Sequence, residues 1–357
     1  MKRTLAALAL ALLANAGPAR AEEKPALIRF GVALVGAGGR PIAGGLPWSI
    51  VADKGALEEE FRADGIRVKV SYFTGAGPAV NEAIANDQLD FAAQGDLPGL
   101  VARAGGLPTK LVLAQNRFGG IYVAVPATST ARTLEDLKGK RIAVFKGTAA
   151  QLALYRALQS RGLKESDFRI INMSTVDGTA ALLSNDVDAL ASGADVFALV
   201  ERGAARVVYT SRGDPRLGIL SHVLVTERFA ARYPRTVQRV VNVFLREHVW
   251  LAQEANRART YQIWTKSGFG LPAWRGDWDG DPIRDRTSPL FDEFYRAQYK
   301  RLLASARELK LVRKDFDVDR WIDPTFVEAG IVALGLQGTW REFDAEARPK
   351  PPPVAHR

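Results

Sequence analysis

The sequence predicts an α/β fold with two sheet domains, in which strands alternate with helices. Short apolar runs alternate with stretches of helical spacing from residue 26 to about residue 210, as expected for parallel strands joined by crossover helices. The chain has 357 residues and is 47% hydrophobic, which is enough to bury two cores. Beyond residue 226 the alternation stops and long helix candidates follow.

The expected elements follow in order along the chain. In the first domain we expect strands at residues 26–35, 68–73, 89–93 and 110–114, and helices at residues 48–62, 78–86 and 97–104. In the second we expect strands at residues 121–125, 141–145, 169–172, 187–191 and 206–209, and helices at residues 149–161, 178–184 and 196–202. A strand at residues 223–226 should precede helices at residues 234–262, 291–309 and 324–334.

Two local patterns lie between these elements. Thr133 and Asp136 have the spacing of a helix-starting capping box, and Gly139 should end that helix. Residues 267–289 form a Gly-, Trp- and Pro-rich insertion between the long helix candidates. Its Asp277–Asp281 run is similar to a calcium loop, but Ser288 stands at the twelfth position, where a bidentate Glu is required. No metal site is expected, and we interpret this run as a solvated loop pinned by its aromatic side chain.

The first 21 residues have the pattern of a cleaved secretory signal. Lys2 and Arg3 precede a short apolar run at residues 5–14, and Ala19-Arg20-Ala21 has the small-x-small form of a cleavage site. The chain has no cysteine, so disulfides, thiolate metal sites and the lipid anchor of bacterial lipoproteins are all excluded. We therefore expect a soluble, periplasmic protein.

The expected organisation is a first lobe at residues 27–118, a second lobe at residues 119–221 and a return to the first lobe at residues 222–345. Residues 346–357 are Pro-rich and are predicted to be a disordered tail. The formal net charge is +10, but Lys and Arg are dispersed among acidic residues, which does not favour nucleic-acid binding. We expect a monomer.

Four turns follow strand-like runs and open helices: residues 74–78, 95–98, 146–149 and 193–195. The first amides of a helix lack internal partners and carry the positive end of its dipole. Several such ends at one crevice would bind a small anion. The turn from Lys146 to Thr148 is the sharpest candidate, although the P-loop spacing is missing. Gly95 would let a ligand approach, whereas Asp96 also suits a helix cap.

Other chemistry has less support in the sequence. The run at residues 32–39 is similar to a dinucleotide fingerprint, but Pro41 takes the place of its third glycine, so we interpret residues 36–45 as a flexible loop at a cleft mouth, with Trp48 as an apolar wall. The three histidines are His222, His248 and His356, and the common hydrolase motifs are absent. We expect no cofactor and no catalytic residue.

The chain resembles the solute-binding proteins of ABC importers, of the aliphatic-sulfonate, nitrate and taurine group. The resemblance rests on the sequences at residues 73–78, 95–98, 133–144, 146–148 and 185–189 and from residue 311 onward, and it covers roughly residues 28–334. It implies a type II two-lobed fold with two crossover strands, a ligand between the lobes, and permease and ATPase partners. Where sulfonate binders often carry Trp-Asp-Pro, this chain has Gly193-Ala194-Asp195.

These arguments together predict a binder of a small organic anion, most closely an aliphatic sulfonate. Two alternatives remain open: a carrier of a nitrogen heterocycle such as a pyrimidine thiamine precursor, and an enzyme on the same two-lobed fold. The residues expected to contact the ligand are Gly38, Gly39, Trp48, Thr74, Gly77, Gly95, Asp96, Asn116, Lys146, Gly147, Thr148, Gly193, Asp195 and His222.

Overall fold

The computed structural model describes residues 23–351. The expected signal segment at residues 1–21 and the last six residues lie outside this range. Within it, none of the helices is both long enough and apolar enough to cross a bilayer.

The strands form two sheets, and their bounds lie close to those expected from the alternation. They are β1 Leu27–Val32, β2 Arg67–Tyr72, β3 Phe91–Gly95, β4 Thr109–Gly119, β5 Tyr122–Pro126, β6 Arg141–Val144, β7 Arg169–Asn172, β8 Ala189–Ser192, β9 Ala205–Thr210 and β10 Ile219–Thr226.

The helices cover the sheets and form most of the C-terminal part. They are α1 Pro47–Asp53, α2 Ala56–Arg62, α3 Ala76–Ala85, α4 Asp96–Ala104, α5 Ala149–Gln159, α6 Thr175–Leu183, α7 Val196–Glu201, α8 Glu227–Arg232, α9 Pro234–Ala252, α10 Arg257–Thr265, α11 Leu271–Trp278, α12 Ile283–Arg286, α13 Glu293–Glu308, α14 Val318–Trp321 and α15 Thr325–Ala333.

Each lobe contains a five-stranded mixed sheet, and the two sheets share one topology. The first has the order β2-β1-β3-β10-β4 and the second the order β7-β6-β8-β5-β9. In both, the first three strands in this order are parallel, and the strand beside them runs antiparallel to its neighbours. The α/β prediction with two mixed sheets is confirmed.

Two chain segments cross between the lobes, one from β4 to β5 and the other from β9 to β10. The segments lie side by side, because Gly119 at the end of β4 pairs with Ile219 at the start of β10. The chain thus re-enters the first sheet at Ile219, and the expected boundary between residues 221 and 222 falls inside β10.

The core of the first lobe explains the position of α1. Trp48 stacks on Phe30 of β1 with ring centroids 4.4 Å apart and also lies against Phe244 of α9. Its indole nitrogen donates to the hydroxyl of Tyr72 at 3.3 Å. Trp48 is therefore a buried core residue, which corrects the expectation that it walls the cleft.

Three helix predictions differ from the structure, each for a local reason. The helix expected at residues 48–62 divides at Gly55, whose φ of +59° is left-handed. The helix expected at residues 234–262 divides where Gln253 turns extended, with ψ 114°. The capping box expected at Thr133 is half formed, since the Asp136 carboxylate accepts from the Thr133 amide at 3.0 Å. Only a 3-10 turn, Glu135–Leu137, follows, because Lys138 leaves the helical conformation with ψ 132°.

The insertion at residues 267–289 is an ordered part of the first lobe. The interpretation of its Asp277–Asp281 run as a solvated loop is wrong for Asp277 and Trp278, which are buried at the end of α11. The insertion contains α11 and α12, and Trp274 and Trp278 lie in one apolar cluster with Ile50 and Trp264. The guanidinium of Arg286 lies 3.7 Å from the centre of the Trp278 ring. The insertion is therefore fixed to the first lobe by packing.

The predicted disordered tail is ordered over its first residues. Pro349 forms a β-bridge with Phe343, and the amide of Lys350 donates to the carbonyl of Glu342 at 2.8 Å. Residues 352–357 lie outside the described range.

Candidate functional site: the interlobe cleft

The two lobes meet at the carboxyl ends of their parallel strands, where glycines allow close approach. A Cβ placed on Gly95, at the end of β3, would lie 2.8 Å from the Cβ of Ala149 in α5. A Cβ placed on Gly147 would lie 2.7 Å from the Cγ of Pro78 in α3. Both distances are shorter than ordinary carbon–carbon contacts. The cleft is therefore closed at these two points, and both glycines predicted to contact the ligand serve this approach.

An apolar contact also crosses between the lobes. Leu152 of α5 is fully buried and belongs to a cluster of first-lobe residues that includes Leu97 and Leu100 of α4 and Leu220 of β10. Helix α5 is thus seated on the first lobe, with its N-terminus beside β3 and β10.

The N-terminus of α5 retains unpaired amides. Thr148 is its N-cap residue, and the cap has no side-chain hydrogen bond. Within residues 23–351, no acceptor is paired with the amides of Ala149 and Ala150. Two residues before Ala149, the amide of Gly147 donates to the Gln151 side chain at 2.6 Å. Two N–H groups and the positive end of the dipole of an eleven-residue helix thus remain without an internal partner.

The side chains of Thr148 and Lys146, in the same turn, already have partners within the protein. Thr148 Oγ1 donates to the carbonyl of Phe145 at 2.6 Å. The ammonium of Lys146 lies 3.8 Å from the Glu165 carboxylate, and its backbone amide donates to Asn172. The groups of this turn that remain without a partner are therefore backbone amides.

Two buried polar side chains lie on the strands beneath this helix start. Ser221 of β10 pairs directly with Gly95 of β3 on one side and with Asn116 of β4 on the other. Directly opposed residues project from the same face of a sheet, which here is the face that meets Ala149. Ser221 is 6% exposed and Asn116 is 8% exposed, and Ser221 Oγ and Asn116 Oδ1 have no hydrogen-bond partner.

Unpaired buried polar atoms cost stability unless something satisfies them. Asn116 was among the expected site residues, but Ser221 was not. The only signal for it in the sequence is a small polar residue inside an otherwise apolar strand. Its two strand neighbours are more than 100 positions away in the chain, so the sequence pattern could not assign it to the site.

The Asp96 side chain accepts hydrogen bonds at the start of its own helix, α4. One carboxylate oxygen accepts from its neighbour Leu97 at 2.6 Å, and the other accepts from the amide of Leu220 at 2.8 Å. Burial raises the pKa of this carboxyl to about 7. The N-terminus of α4 is therefore filled by its own side chain, which corrects the expectation that it offers amides to an anion.

Gly77 and Thr74 lie at the start of α3, where packing accounts for the glycine. A Cβ on Gly77 would lie 2.3 Å from the Cβ of Pro98, so the glycine is needed for contact between α3 and α4. The Thr74 methyl group lies 3.9 Å from the position that a Cβ on Gly39 would take. Gly38 is exposed, with a φ of +66°. The glycine loop and the Thr74 turn thus lie beside each other.

His222 lies in the core on the opposite face from Ser221. Its ring is fully buried, Nδ1 lies 2.5 Å from the Tyr299 hydroxyl, and a Cβ on Gly99 would lie 2.5 Å from the ring. Burial lowers the pKa of His222 to about 3. The expectation that His222 lines the cleft is therefore wrong.

Gly193 and Asp195 follow β8, the strand next to β6 in the second sheet. They therefore lie at the end of the strand next to the one that leads into α5. Asp195 Oδ1 accepts from Ser192 at 2.7 Å, whereas its Oδ2 is buried without a donor. Burial raises the pKa of Asp195 to about 6. Beyond Asp195 itself, a Cβ on Gly193 would meet open space.

The model of the family described as NMT1/THI5 like matches residues 60–257, more than half of the sequence. The chain belongs to the NMT1/THI5-like family. The resemblance found in the sequence motifs is confirmed.

Three relatives of this NMT1/THI5-like chain are similar over most of its length. A Bacillus subtilis (strain 168) protein named "Putative aliphatic sulfonates-binding protein" is 28% identical over 80% of this chain and 85% of its own. The structure of a periplasmic sulfonate-binding protein SsuA from Methylobacillus flagellatus KT is 31% identical, with TM-score 0.77 over 90% of this chain and 98% of its own. The alkanesulfonate-binding protein SsuA from Xanthomonas axonopodis pv. citri, bound to MOPS, is 25% identical, with TM-score 0.69 over 85% and 99%.

The fold is that of the type II periplasmic binding proteins. The desulfurization enzyme DSZB shares the fold at 16% identity, with TM-score 0.65 over 86% of this chain and 99% of its own. The architecture alone therefore does not separate a binding protein from an enzyme.

Proposed function

We propose that this NMT1/THI5-like protein is the soluble substrate-binding component of an ABC importer and that it captures an aliphatic sulfonate between its lobes. The observation that carries the proposal is the start of α5. There the unpaired amides of Ala149 and Ala150 lie at the face that also presents the unsatisfied side chains of Ser221 and Asn116.

These groups suit an anion that is charged at every pH near neutral. Two backbone amides and the Ser221 hydroxyl can donate, and rotation of the Asn116 amide would present its NH2 group. Hydrogen bonds to a charged group contribute about 1.5–3 kcal/mol each, and a partly buried helix N-terminus adds up to about 2 kcal/mol. Three bonds and the dipole reach the roughly 8 kcal/mol of micromolar affinity.

Asp195 limits what the rest of the ligand can be. Its unpaired Oδ2 lies one strand away from the proposed sulfonate position, so a second anionic group there would be repelled. The ligand we propose therefore has one anionic head and a neutral or cationic remainder. The names of the sulfonate-binding relatives support the same chemical class.

Titration calorimetry with ethanesulfonate, taurine and nitrate tests the proposal. We expect a sulfonate to bind with about micromolar affinity. Ser221→Ala should weaken binding by about tenfold or more, because a hydrogen bond to a charged group is lost. Ser160→Ala, at the far end of α5, is the matched control and should bind as the wild type does. Heat from none of the three compounds, or unchanged affinity in Ser221→Ala, would refute the assignment.

The proposal also covers location, partners and fate of the ligand. We propose that residues 1–21 direct export to the periplasm, that the chain acts there as a monomer, and that it delivers its ligand unchanged to permease and ATPase subunits. Mass spectrometry of ligand retained by the purified protein checks this. Retention of a nitrogen heterocycle would favour the pyrimidine-carrier alternative, and a chemically altered ligand would favour the enzyme.

A further inference from the structure

We infer that the insertion at residues 267–289 is a brace between the lobes that stabilises the closed arrangement of the cleft. The insertion is attached to the first lobe, but one side of α11 contacts the second lobe and the crossing segments. This inference concerns lobe movement, so it does not depend on the identity of the ligand.

The insertion is attached to the first lobe by apolar packing and by Arg257. Trp274 and Trp278 pack with Trp264 of α10 in one buried cluster. Within the insertion, the almost fully buried guanidinium of Arg286 lies 3.1 Å from the Asp277 carboxylate. Arg257, from α10, donates to the carbonyl of Asp281 at 2.7 Å and to that of Trp278 at 3.2 Å. These bonds hold the end of α11 in place, so the insertion moves with the first lobe.

The contacts with the second lobe are polar and specific. The hydroxyl of Tyr122, the first residue of β5, donates to Asp277 at 2.6 Å inside the structure. The same carboxylate therefore joins Arg286 on one side to the second lobe on the other. Because a buried carboxylate that loses a donor is costly, separating Tyr122 from Asp277 is opposed.

Arg212 adds contacts from the second crossing segment. Its guanidinium donates to the carbonyl of Gly276 at 2.8 Å and to that of Asp279 at 2.7 Å. It also lies 3.2 Å from the Asp281 carboxylate. One side chain thus joins the segment between β9 and β10 to three positions of the insertion.

An apolar surface completes the contact. A Cβ placed on Gly276 would lie 2.5 Å from the ring of Phe197 in α7, so that ring rests directly on the α11 backbone. The Phe197 ring also contacts Tyr122 edge-on, with centroids 4.7 Å apart. Ala194, in the turn before α7, packs against the tryptophan cluster of the insertion. Rotation of the lobes apart would break these contacts together.

The distribution of interlobe distances tests the brace. Because the chain has no cysteine, Lys164→Cys in the second lobe and Glu328→Cys in the first provide a clean pair for fluorescent labels. Single-molecule energy transfer would be recorded without added ligand in the wild type, Tyr122→Phe and Arg212→Met. Arg202→Met is the matched control, since Arg202 directly follows α7, is exposed and, among the described residues, donates from its side chain only to the carbonyl of Ala198.

We expect both brace variants to populate longer distances, with the closed-to-open ratio reduced by about tenfold in Arg212→Met, equivalent to about 1.4 kcal/mol. The control should resemble the wild type. Circular dichroism and the melting temperature establish that each variant is folded. Unchanged distances in both folded brace variants, or an equal shift in Arg202→Met, would overturn the inference.

Discussion

Adding one methyl group at Gly95 should prevent full closure of the cleft without disturbing the first lobe. The backbone of Gly95 has φ −78° and ψ 176°, which any residue adopts. The new Cβ would lie 2.8 Å from the Cβ of Ala149 in the other lobe, whereas its next neighbours lie at 3.9 Å. Since carbon–carbon contacts are favourable at about 3.5–4.0 Å, the lobes must separate locally by roughly 1 Å.

The size of the effect follows from that overlap. Overpacking by one methyl group costs about 1–3 kcal/mol, so Gly95→Ala should weaken ligand binding by about five- to 150-fold. The melting temperature of the unliganded protein should change little, because the two lobes can separate. Calorimetry with ethanesulfonate measures the affinity, and differential scanning calorimetry measures the stability.

Gly270→Ala provides the control for the added methyl group. Gly270 is exposed, has an extended backbone with φ −67°, and the nearest atom to its added Cβ lies at 3.4 Å. We expect wild-type affinity in this variant. If Gly95→Ala also binds ethanesulfonate with wild-type affinity, the lobes do not close on the ligand with Gly95 against Ala149.

Two further predictions concern buried charges. In the fold, burial raises the pKa of Asp96 to about 7 from 3.8, so the carboxyl destabilises the fold increasingly as the pH rises between these values. The free energy of unfolding of Asp96→Asn minus that of the wild type, both measured with urea, should therefore increase by about 2 kcal/mol between about pH 5 and about pH 7. An equal pH dependence in both proteins would contradict this. Arg117 and Asp292 form a fully buried pair at 2.6 Å, so Arg117→Met should cost about 3–5 kcal/mol in urea unfolding, and adding Asp292→Leu should recover much of it. An Arg117→Met protein as stable as the wild type would contradict this prediction.

The regular elements could be predicted because they follow from local periodicity. Strand β7 has the predicted bounds, Arg169–Asn172, and most others differ by a few residues. The errors occur where a single residue determines the local backbone conformation. A left-handed Gly55 divides a helix whose apolar pattern is continuous. Lys138 leaves the helical conformation directly after one 3-10 turn, although Asp136 accepts from the Thr133 amide as expected.

The site was predicted less well, because it is formed by contacts between elements that lie far apart in the sequence. The helix start at Thr148 could be predicted from its local sequence. Trp48 and His222 could not be placed, since both positions fit a cleft wall as well as a core, and strand register alone puts His222 on the face opposite Ser221. Asp96 is compatible with an open or a filled helix start until Leu220 is brought beside it.

The shared strand order gives the helix after each of the three parallel strands in one lobe a counterpart in the other, so each lobe serves as a reference for its twin. An acid stands at the start of the helix after β3 and of the helix after β8, Asp96 and Asp195, yet only the first uses both of its oxygens. Likewise the amide of Trp48 near the start of α1 is bonded to Gln115, whereas its equivalents in α5 are not. The unpaired amides of Ala149 and Ala150 therefore distinguish the start of α5 from its counterpart in the first lobe, and mutagenesis aimed at altering selectivity should begin at this turn.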